Sequence, residues 1–334
     1  MFSGKKILIT GGTGSLGQAL TKRLLKLDVD TVRIFSRNEN KQIEMENSFN
    51  DSRLRFFLGD IRDSNRLVRA TEDIDIVFHA AALKHVPKIE YNPFESINTN
   101  VIGSQNVIDA CLSANVEKAI CVSTDKAVSP LNTYGATKLL MEKLFVTANN
   151  YLDPKKYQTK FIGLRYGNVV GSSGSVIPKF IKLLKNENKL QITDPEMTRF
   201  SITMDEALDF ILKATELGKG SEIFIPKLKS YRIKDVKDAL TELIDDYGND
   251  VVGIRPGEKL HETLINKEEM RYSWEFQDLY MLTSPLYPMF NPNVIHQTYD
   301  GIKEITNMES YSSDNVEKIS KVELKNIFQE LNLI

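Results

Sequence analysis

Tyr134 and Lys138 are the residues of this chain whose types and spacing most plainly allow chemistry. In TYGATK they stand four positions apart, so on a helix they share one face, one turn apart. An ammonium beside a phenol favours the phenolate and lowers a pKa that is ~10 in water. A tyrosine so placed can take a hydroxyl proton while a hydride leaves the same carbon. The spacing alone is common in helices. Its weight here comes from its place, after a glycine-rich turn near the start of the chain and just beyond a strand end at Cys121 to Thr124.

A hydride needs an acceptor, and the start of the chain is built to hold one. An apolar run at Ile7 to Thr10 leads straight into Gly11-Gly12-Thr13-Gly14-Ser15-Leu16-Gly17 and then a helical pattern. Glycines permit the tight turn and a close backbone approach, so the free N–H groups of the helix start, with its dipole, can face a pyrophosphate. The bland alternative is a glycine turn without a ligand; the strand, turn and helix context argues against it. After the second apolar run the chain reads Phe35-Ser36-Arg37-Asn38-Glu39-Asn40-Lys41, with a small hydroxyl and two cations where an NAD site usually places a carboxylate. Arg37 and Lys41 match a 2′-phosphate, which favours NADP over NAD; a solvated charged loop is the alternative. Asp60, after Gly59, suits the adenine end or caps the next helix. In His79-Ala80-Ala81-Ala82 the small residues let the backbone approach a cofactor, while His79 reads as a structural histidine.

The elements that must position these groups are legible as short β-branched runs at 7–10, 32–35, 54–58, 74–78, 119–122 and 161–164, mostly separated by amphipathic helical stretches such as 16–26 and 102–114. Continuous apolar strands alternating with helices imply an α/β fold, a Rossmann-type doubly wound parallel sheet covered on both faces. Residues 1–167 read as the NADP-binding domain, and residues 168–334 mainly as a smaller C-terminal α/β substrate domain with a tail. Within the latter, a helix at 177–184, a helix at 204–217 and a strand at 222–225 are expected, with 204–226 returning to the main sheet. A helix at 234–247 and a short strand at 251–254 follow, then a less regular tail.

Composition narrows the function classes. The 334 residues, 41% hydrophobic and 26% charged, suffice for a sizeable core. A net charge of −2 and a pI near 6.2 give no nucleic-acid footprint. Cys111 and Cys121 stand in apolar settings with no CxxC pair and no His cluster at ligand spacing, so they read as core thiols and no metal is expected. No signal-peptide pattern and no apolar run of ~20 residues is present, so a cytoplasmic protein without a membrane partner is expected.

Taken in order, GGTGSLG, FSRNENKQ, GDIRD, HAAALKHVP, STDKA, YGATK, RYGNVVGSSGSV, MTRF and IRPGEKLHE make the chain resemble the extended short-chain dehydrogenases over nearly its whole length. Ser123-Thr124-Asp125-Lys126 narrows the resemblance. Retaining nucleotide-sugar dehydratases of this family carry Thr-Asp-Glu there, with the Glu removing the C5 proton. Lys126 in the Glu place makes this chain similar to the inverting UDP-N-acetylglucosamine 4,6-dehydratases of the pseudaminic acid pathway.

The resemblance implies catalytic roles for Asp125, Lys126, Tyr134 and Lys138. For the cofactor it implies the Gly11 to Leu16 turn with Ser36, Arg37, Asn38, Lys41, Asp60, Ile61, Ala80, Lys84 and Val169, beside Tyr134 and Lys138. For a UDP-sugar substrate it implies Lys84, Val122, Ser123, Asn168, the loop Ser173, Gly174, Ser175, Val176, Ile177 and Pro178, then Arg199, Arg255 and Glu258. The two arginines can pair with a diphosphate and Glu258 can accept from ribose hydroxyls; surface ion pairs for the arginines, and a turn role for Asn168, are the alternatives. Lys126 as base must be neutral, and partial burial with nearby cations is expected to bring its pKa down; simple pairing with an acidic residue at the rim is the alternative. The family also implies a homo-oligomer, a dimer or hexamer. A C4 or C5 epimerase on the same scaffold is the enzymatic rival, and an NADP-sensing binding protein the rival without catalysis.

Overall fold

The computed structural model describes residues 1–153, 155–172, 175–286 and 291–334. Its centre is six parallel strands, β1 (Lys6–Thr10), β2 (Thr31–Ser36), β3 (Leu54–Leu58), β4 (Ile76–His79), β5 (Lys118–Val122) and β6 (Lys160–Leu164), in the order β3-β2-β1-β4-β5-β6. In register, Ile7 of β1 meets Val32 on one side and Ile76 on the other. Alternate residues serve opposite faces: Ile7 and Ile9 join one apolar cluster with Leu20 and Leu24, while Leu8 joins another with Val77, Val107 and Met141. Both faces are therefore buried, which is why these runs are apolar throughout rather than alternating. The sheet is the doubly wound one read from the sequence.

Seven helices accompany these strands: α1 (Ser15–Leu24), α2 (Glu39–Phe49), α3 (Ser64–Thr71), α4 (Val86–Tyr91), α5 (Pro93–Ser96), α6 (Gly103–Ser113) and α7 (Thr133–Ala148). The order reverses at β1 and β4, and the crevice at the carboxyl ends of the strands beside such a switch point is where ligands enter folds of this kind. The helix expected from residue 102 begins as a π-helical turn, Ile97–Ile102. There Asn100 is buried, and its amide holds the backbone of Leu83 in both directions, accepting at 2.8 Å and donating at 3.0 Å.

Beyond β6 the sheet continues. Glu222–Pro226 pairs parallel to β6, behind the helix Met204–Leu217. The region read as an irregular tail then adds antiparallel strands: Ser273–Phe276 and Leu279–Thr283 form a hairpin against Glu222–Pro226, and Lys303–Glu304 pairs outside it. Its two-residue turn is Gln277-Asp278, with Gln277 at φ 56, without the Asn-Gly or Asp-Gly signal that marks such turns in a sequence.

A second layer holds a small sheet of Asn168–Val169, Thr198–Ile202 and Ser230–Arg232. Helices Val176–Lys185, Ile233–Leu240 and Lys321–Glu330 enclose a separate apolar cluster that includes Phe180, Val236, Leu324 and Phe328. The helix expected to reach Tyr247 stops at Leu240. Beyond it come Glu242, Asp245 and Asp246, acidic side chains that oppose the negative end of a helix dipole.

One buried guanidinium ties these parts together. Arg165 directly follows β6 and is 1% exposed. Its Nε and Nη2 donate to both oxygens of Glu142 on α7, at 3.0 and 2.7 Å, and its two Nη donate to both oxygens of Glu269, at 3.0 Å each. Nη1 also reaches the Leu264 carbonyl at 2.8 Å. All five donors of the guanidinium are thus used.

Candidate active site

A cavity of about 800 Å³ runs along the carboxyl ends of β1 to β5, a volume within the range of cofactor sites. At its base is the glycine turn. Gly11 has φ +70, and a Cβ there would stand 2.8 Å from the backbone of Ala81, so a side chain would force the β1 and β4 ends apart. α1 starts at Gly14 without a side-chain cap and without an acidic residue in its first turn, while Lys22 and Arg23 occupy its last. Its N–H groups and positive dipole end are therefore free to meet an anion. Gly11, Thr13, Gly14, Ser15 and Leu16 line the cavity, whereas Gly12 does not.

The far end of the cavity is bordered by Ser36, Arg37, Asn38, Lys41, Asp60 and Ile61. Asn38 caps α2 by accepting from the Lys41 amide, which seats both residues on the rim. Arg37 is half exposed and lies 3.7 Å from Asp60, which is also held by Arg62 at 2.8 Å. Ala80 and Lys84 line the middle, on the loop that Asn100 fixes. His79 is fully buried between Thr10 and Ser104, at 2.7 and 2.9 Å, and burial takes its pKa down to about 3. It is a neutral structural histidine. A glycine turn, an uncapped helix start and a rim of cations are the donor set that a dinucleotide with an added phosphate needs, so the residues present fit such a group.

The reactive end is built by β5 and α7. Ser123 continues β5 by bonding Leu164, and its hydroxyl is buried without a partner. Thr124 caps a short 3-10 turn, Asp125–Ala127. Asn132 caps α7 by accepting from Gly135 at 2.8 Å, which starts the helix just before Tyr134. A Cβ on Gly135 would meet the Lys126 carbonyl at 2.1 Å; only glycine lets α7 approach the turn that carries Asp125 and Lys126.

Val122, Ser123, Thr124, Lys126, Tyr134, Lys138, Asn168, Val169 and Ser175 all border this end. Lys138 is buried, donates to the Val122 carbonyl at 2.8 Å, and has its pKa lowered to about 8 by burial. The Tyr134 phenol meets the Thr124 hydroxyl, yet burial outweighs this contact and the nearby Lys126 and pushes its pKa up to about 12. That differs from the lowered value expected from a neighbouring ammonium: desolvation of the phenolate is the larger effect here.

Lys126 departs further from expectation. Burial pushes the ammonium down, but the carboxylates of Asp125 and Glu262 more than reverse this, and its pKa is raised above that of a free lysine. Its Nζ lies 3.0 Å from Asp125 Oδ1, 3.4 Å from Asn168 Oδ1 and 3.5 Å from Glu262 Oε1. At rest it is an ammonium. Asp125 itself lies behind the cavity wall, fully buried, with Oδ2 unpartnered.

Other residues singled out in the sequence do not line this cavity. Arg199, 9% exposed, is packed with Nε 3.7 Å from Glu262 and Nη1 2.7 Å from the Thr198 carbonyl. Arg255 and Glu258 face each other at 3.8 Å on an exposed loop. Val176, Ile177 and Pro178 belong to the helix after Ser175, where Ile177 is part of the second layer's core. Ser173 and Gly174 lie outside the described residues. Two residues that motif reading did not single out join the site: Tyr166, which lines the cavity beneath Asp125, and Glu262. Both lie inside motifs that carry the resemblance, Tyr166 in RYGNVVGSSGSV and Glu262 at the end of IRPGEKLHE, a usable signal that assigns neither of them a role.

The family described as polysaccharide biosynthesis protein matches residues 7–284. The UDP-N-acetylglucosamine 4,6-dehydratase (inverting) of Campylobacter jejuni subsp. jejuni serotype O:23/36 (strain 81-176) is 47% identical over 322 residues, covering 94% of this chain and 94% of its own. The UDP-glucose 4-epimerase of Rickettsia massiliae (strain Mtu5) is 39% identical over 342 residues, covering 100% of this chain and 98% of its own. Among solved structures, that of Pen from Bacillus thuringiensis is similar with a TM-score of 0.90 at 37% identity, covering 100% of this chain and 99% of that one. Sequence, sheet order and site together place this chain in the polysaccharide biosynthesis protein family of extended short-chain dehydrogenases.

Proposed function

We propose that this chain is a UDP-N-acetylglucosamine 4,6-dehydratase that inverts C5, yielding UDP-2-acetamido-2,6-dideoxy-β-L-arabino-hex-4-ulose for pseudaminic acid or a related glycan. The observation that carries the reading is Lys126, beside Asp125 and within the same cavity wall as Tyr134 and Lys138. A pure C4 epimerase has no use for an acid and an amine together at that point. The reading also takes NADP as the cofactor, held by the Gly11 to Leu16 turn, Arg37 and Lys41, with residues 1–167 and 204–226 for the cofactor and 168–334 mainly for the sugar. The setting it implies is a cytoplasmic homo-oligomer.

When bound, the nicotinamide would supply the hydride acceptor, a positive charge in its oxidised form that favours an ionised Tyr134, and in its reduced form the hydride that C6 requires after water is lost. With that charge and the Lys138 ammonium at the next helical turn favouring the ionised form, Tyr134 as phenolate takes the C4 hydroxyl proton. The resulting 4-ketone acidifies C5–H. Lys126 then needs a free amine and Asp125 a proton. A shift of one proton across their 3.0 Å hydrogen bond meets both needs. Lys126 removes the C5 proton, and Asp125, whose carboxyl must turn out from behind the cavity wall, gives its proton to the departing C6 hydroxyl. The ion pair is restored as water leaves, and hydride at C6 with a proton on the opposite face of C5 completes the product.

Proton NMR of UDP-N-acetylglucosamine incubated with the protein alone in D2O tests this reading. The expected product is the L-arabino 6-deoxy-4-keto sugar with deuterium at C5. A product of D-xylo configuration from the outset would remove the inverting assignment. Simple C4 inversion would favour the epimerase reading, which the similarity to the Rickettsia epimerase keeps in view.

A further inference from the structure

The ammonium of Lys126 is held from three sides, by hydrogen bonds to Asp125 and Asn168 and an ion pair with Glu262. Glu262 closes the IRPGEKLHE motif but, unlike Arg255 and Glu258 in it, is given no role by the resemblance. It is 3% exposed, and its Oε1 stands between Lys126 Nζ and Arg199 Nε, at 3.5 and 3.7 Å. Its other oxygen is buried without a partner. The backbone pins it there: its amide donates to Ser313 Oγ at 2.9 Å, and its carbonyl accepts from the Ser313 amide at 2.8 Å and from Ser312 Oγ at 3.2 Å. Burying a half-satisfied carboxylate is costly. Glu142 and Glu269, which serve the fold, have both oxygens bonded.

We propose that Glu262 is a positioning residue for the loss of water, holding the Lys126 ammonium against Asp125 and setting the pH at which that ammonium gives up its proton. The inference rests on the dehydratase reading above. Every charged or titratable group facing Lys126 bears on it. Asp125 from its own turn and Glu262 hold the proton on. Arg199 from the strand Thr198–Ile202 and Lys259 from the segment before Glu262 push it off. Tyr134 from α7 and Tyr231 from Ser230–Arg232 are uncharged phenols, both pushed up to about 12 by burial. Asp125 must take the proton in the reaction, so its charge is spent as the reaction proceeds, and Glu262 is the carboxylate that stays. Neutralising it removes the restraint that persists once Asp125 is protonated and frees Arg199 to act in the same direction.

The test is the pH profile of 6-deoxy-4-keto product formation from UDP-N-acetylglucosamine by the full chain with its cofactor. It is run for the wild type, Glu262→Gln and Glu262→Asp, with cofactor reduction in each variant as the internal reference. In Glu262→Gln the alkaline edge of water loss moves to lower pH by about one unit or more, and the edge for cofactor reduction does not follow it. Glu262→Asp, its charge set back by one methylene, moves the edge the same way by less; it carries the test if the Gln variant is not recovered folded. As a direct readout, the Lys126 ¹³Cε resonance, identified by its loss in Lys126→Arg, titrates at lower pH in the variant than in the wild type. Coincident edges and coincident ¹³Cε titrations in an active variant overturn the role of Glu262. Failure of the wild type to form any 6-deoxy-4-keto sugar overturns instead the reading on which it rests.

Discussion

Two clusters of buried charge touch α7, and they are finished differently. Near the helix start, Lys126 and Arg199 face Asp125 and Glu262, with one oxygen of each carboxylate buried and unpartnered. Two turns further on, Arg165 meets Glu142 and Glu269 with every donor and every carboxylate oxygen bonded. A fully bonded buried network rigidifies what it joins, here α7, the end of β6 and the segment at Leu264 to Glu269. A network with unpaired oxygens stores a cost that a ligand, a bound water or a moving proton can relieve. The chain thus separates holding from reacting along one helix.

Breaking the reacting end should cost activity most. Tyr134→Phe keeps the ring and its packing but removes the hydroxyl set to take the C4 proton, so turnover and single-turnover cofactor reduction fall together by about 10³-fold or more. Normal cofactor reduction in this variant would show that another group is the base. Lys126→Ala separates the steps: C4 oxidation persists, seen as NADPH absorbance, while water loss falls by about 10²- to 10⁴-fold. Unimpaired dehydration would return Lys126 to the role of a rim ion-pair residue.

The holding end should respond in stability. Arg165→Met leaves two buried carboxylates without their partner, a change that costs about 3–5 kcal/mol and roughly 5–10 °C in Tm. Thermal denaturation checks it. The fraction that remains folded should keep its cofactor reduction within a few-fold of wild type. A stable Arg165→Met that fails in the first oxidation would erase the division between the clusters.

The two clusters also differ in how far they could be read from the chain. Asp125, Lys126, Tyr134 and Lys138 lie close together in sequence, and strands β1 to β6 announce themselves because both faces are buried and every position must be apolar. Glu262 and Glu269 enter from far along the chain, in the region where the hairpin Ser273–Thr283 also went unread for want of a turn signal. The protonation of Lys126 follows in part from that gap: burial and cations alone predict a lowered pKa, whereas the fold sets the Asp125 carboxylate at 3.0 Å and brings a second, Glu262, to 3.5 Å. Local motifs report which groups react. Long-range pairing decides the state in which they wait.

A third ion pair, Arg37 with Asp60 at 3.7 Å, completes the series and should give the smallest effect. Arg37 is 54% exposed on its side chain, so water and salt screen what it does, unlike either buried cluster. Its proposed partner, a 2′-phosphate, carries more charge than a carboxylate and matches guanidinium geometry, while Asp60 remains bonded to Arg62 whether or not Arg37 stays. Arg37→Ala should therefore weaken NADP binding by only about 10-fold, leave NAD binding nearly unchanged, and lose most of the difference between them at high salt. Titration calorimetry with both cofactors, at two ionic strengths, measures all three. Equal weakening for NAD and NADP would mean that Arg37 orders the loop rather than reads the phosphate. No weakening for NADP, together with NAD as the cofactor recovered from the purified protein, would remove the NADP assignment while leaving both buried clusters as they stand.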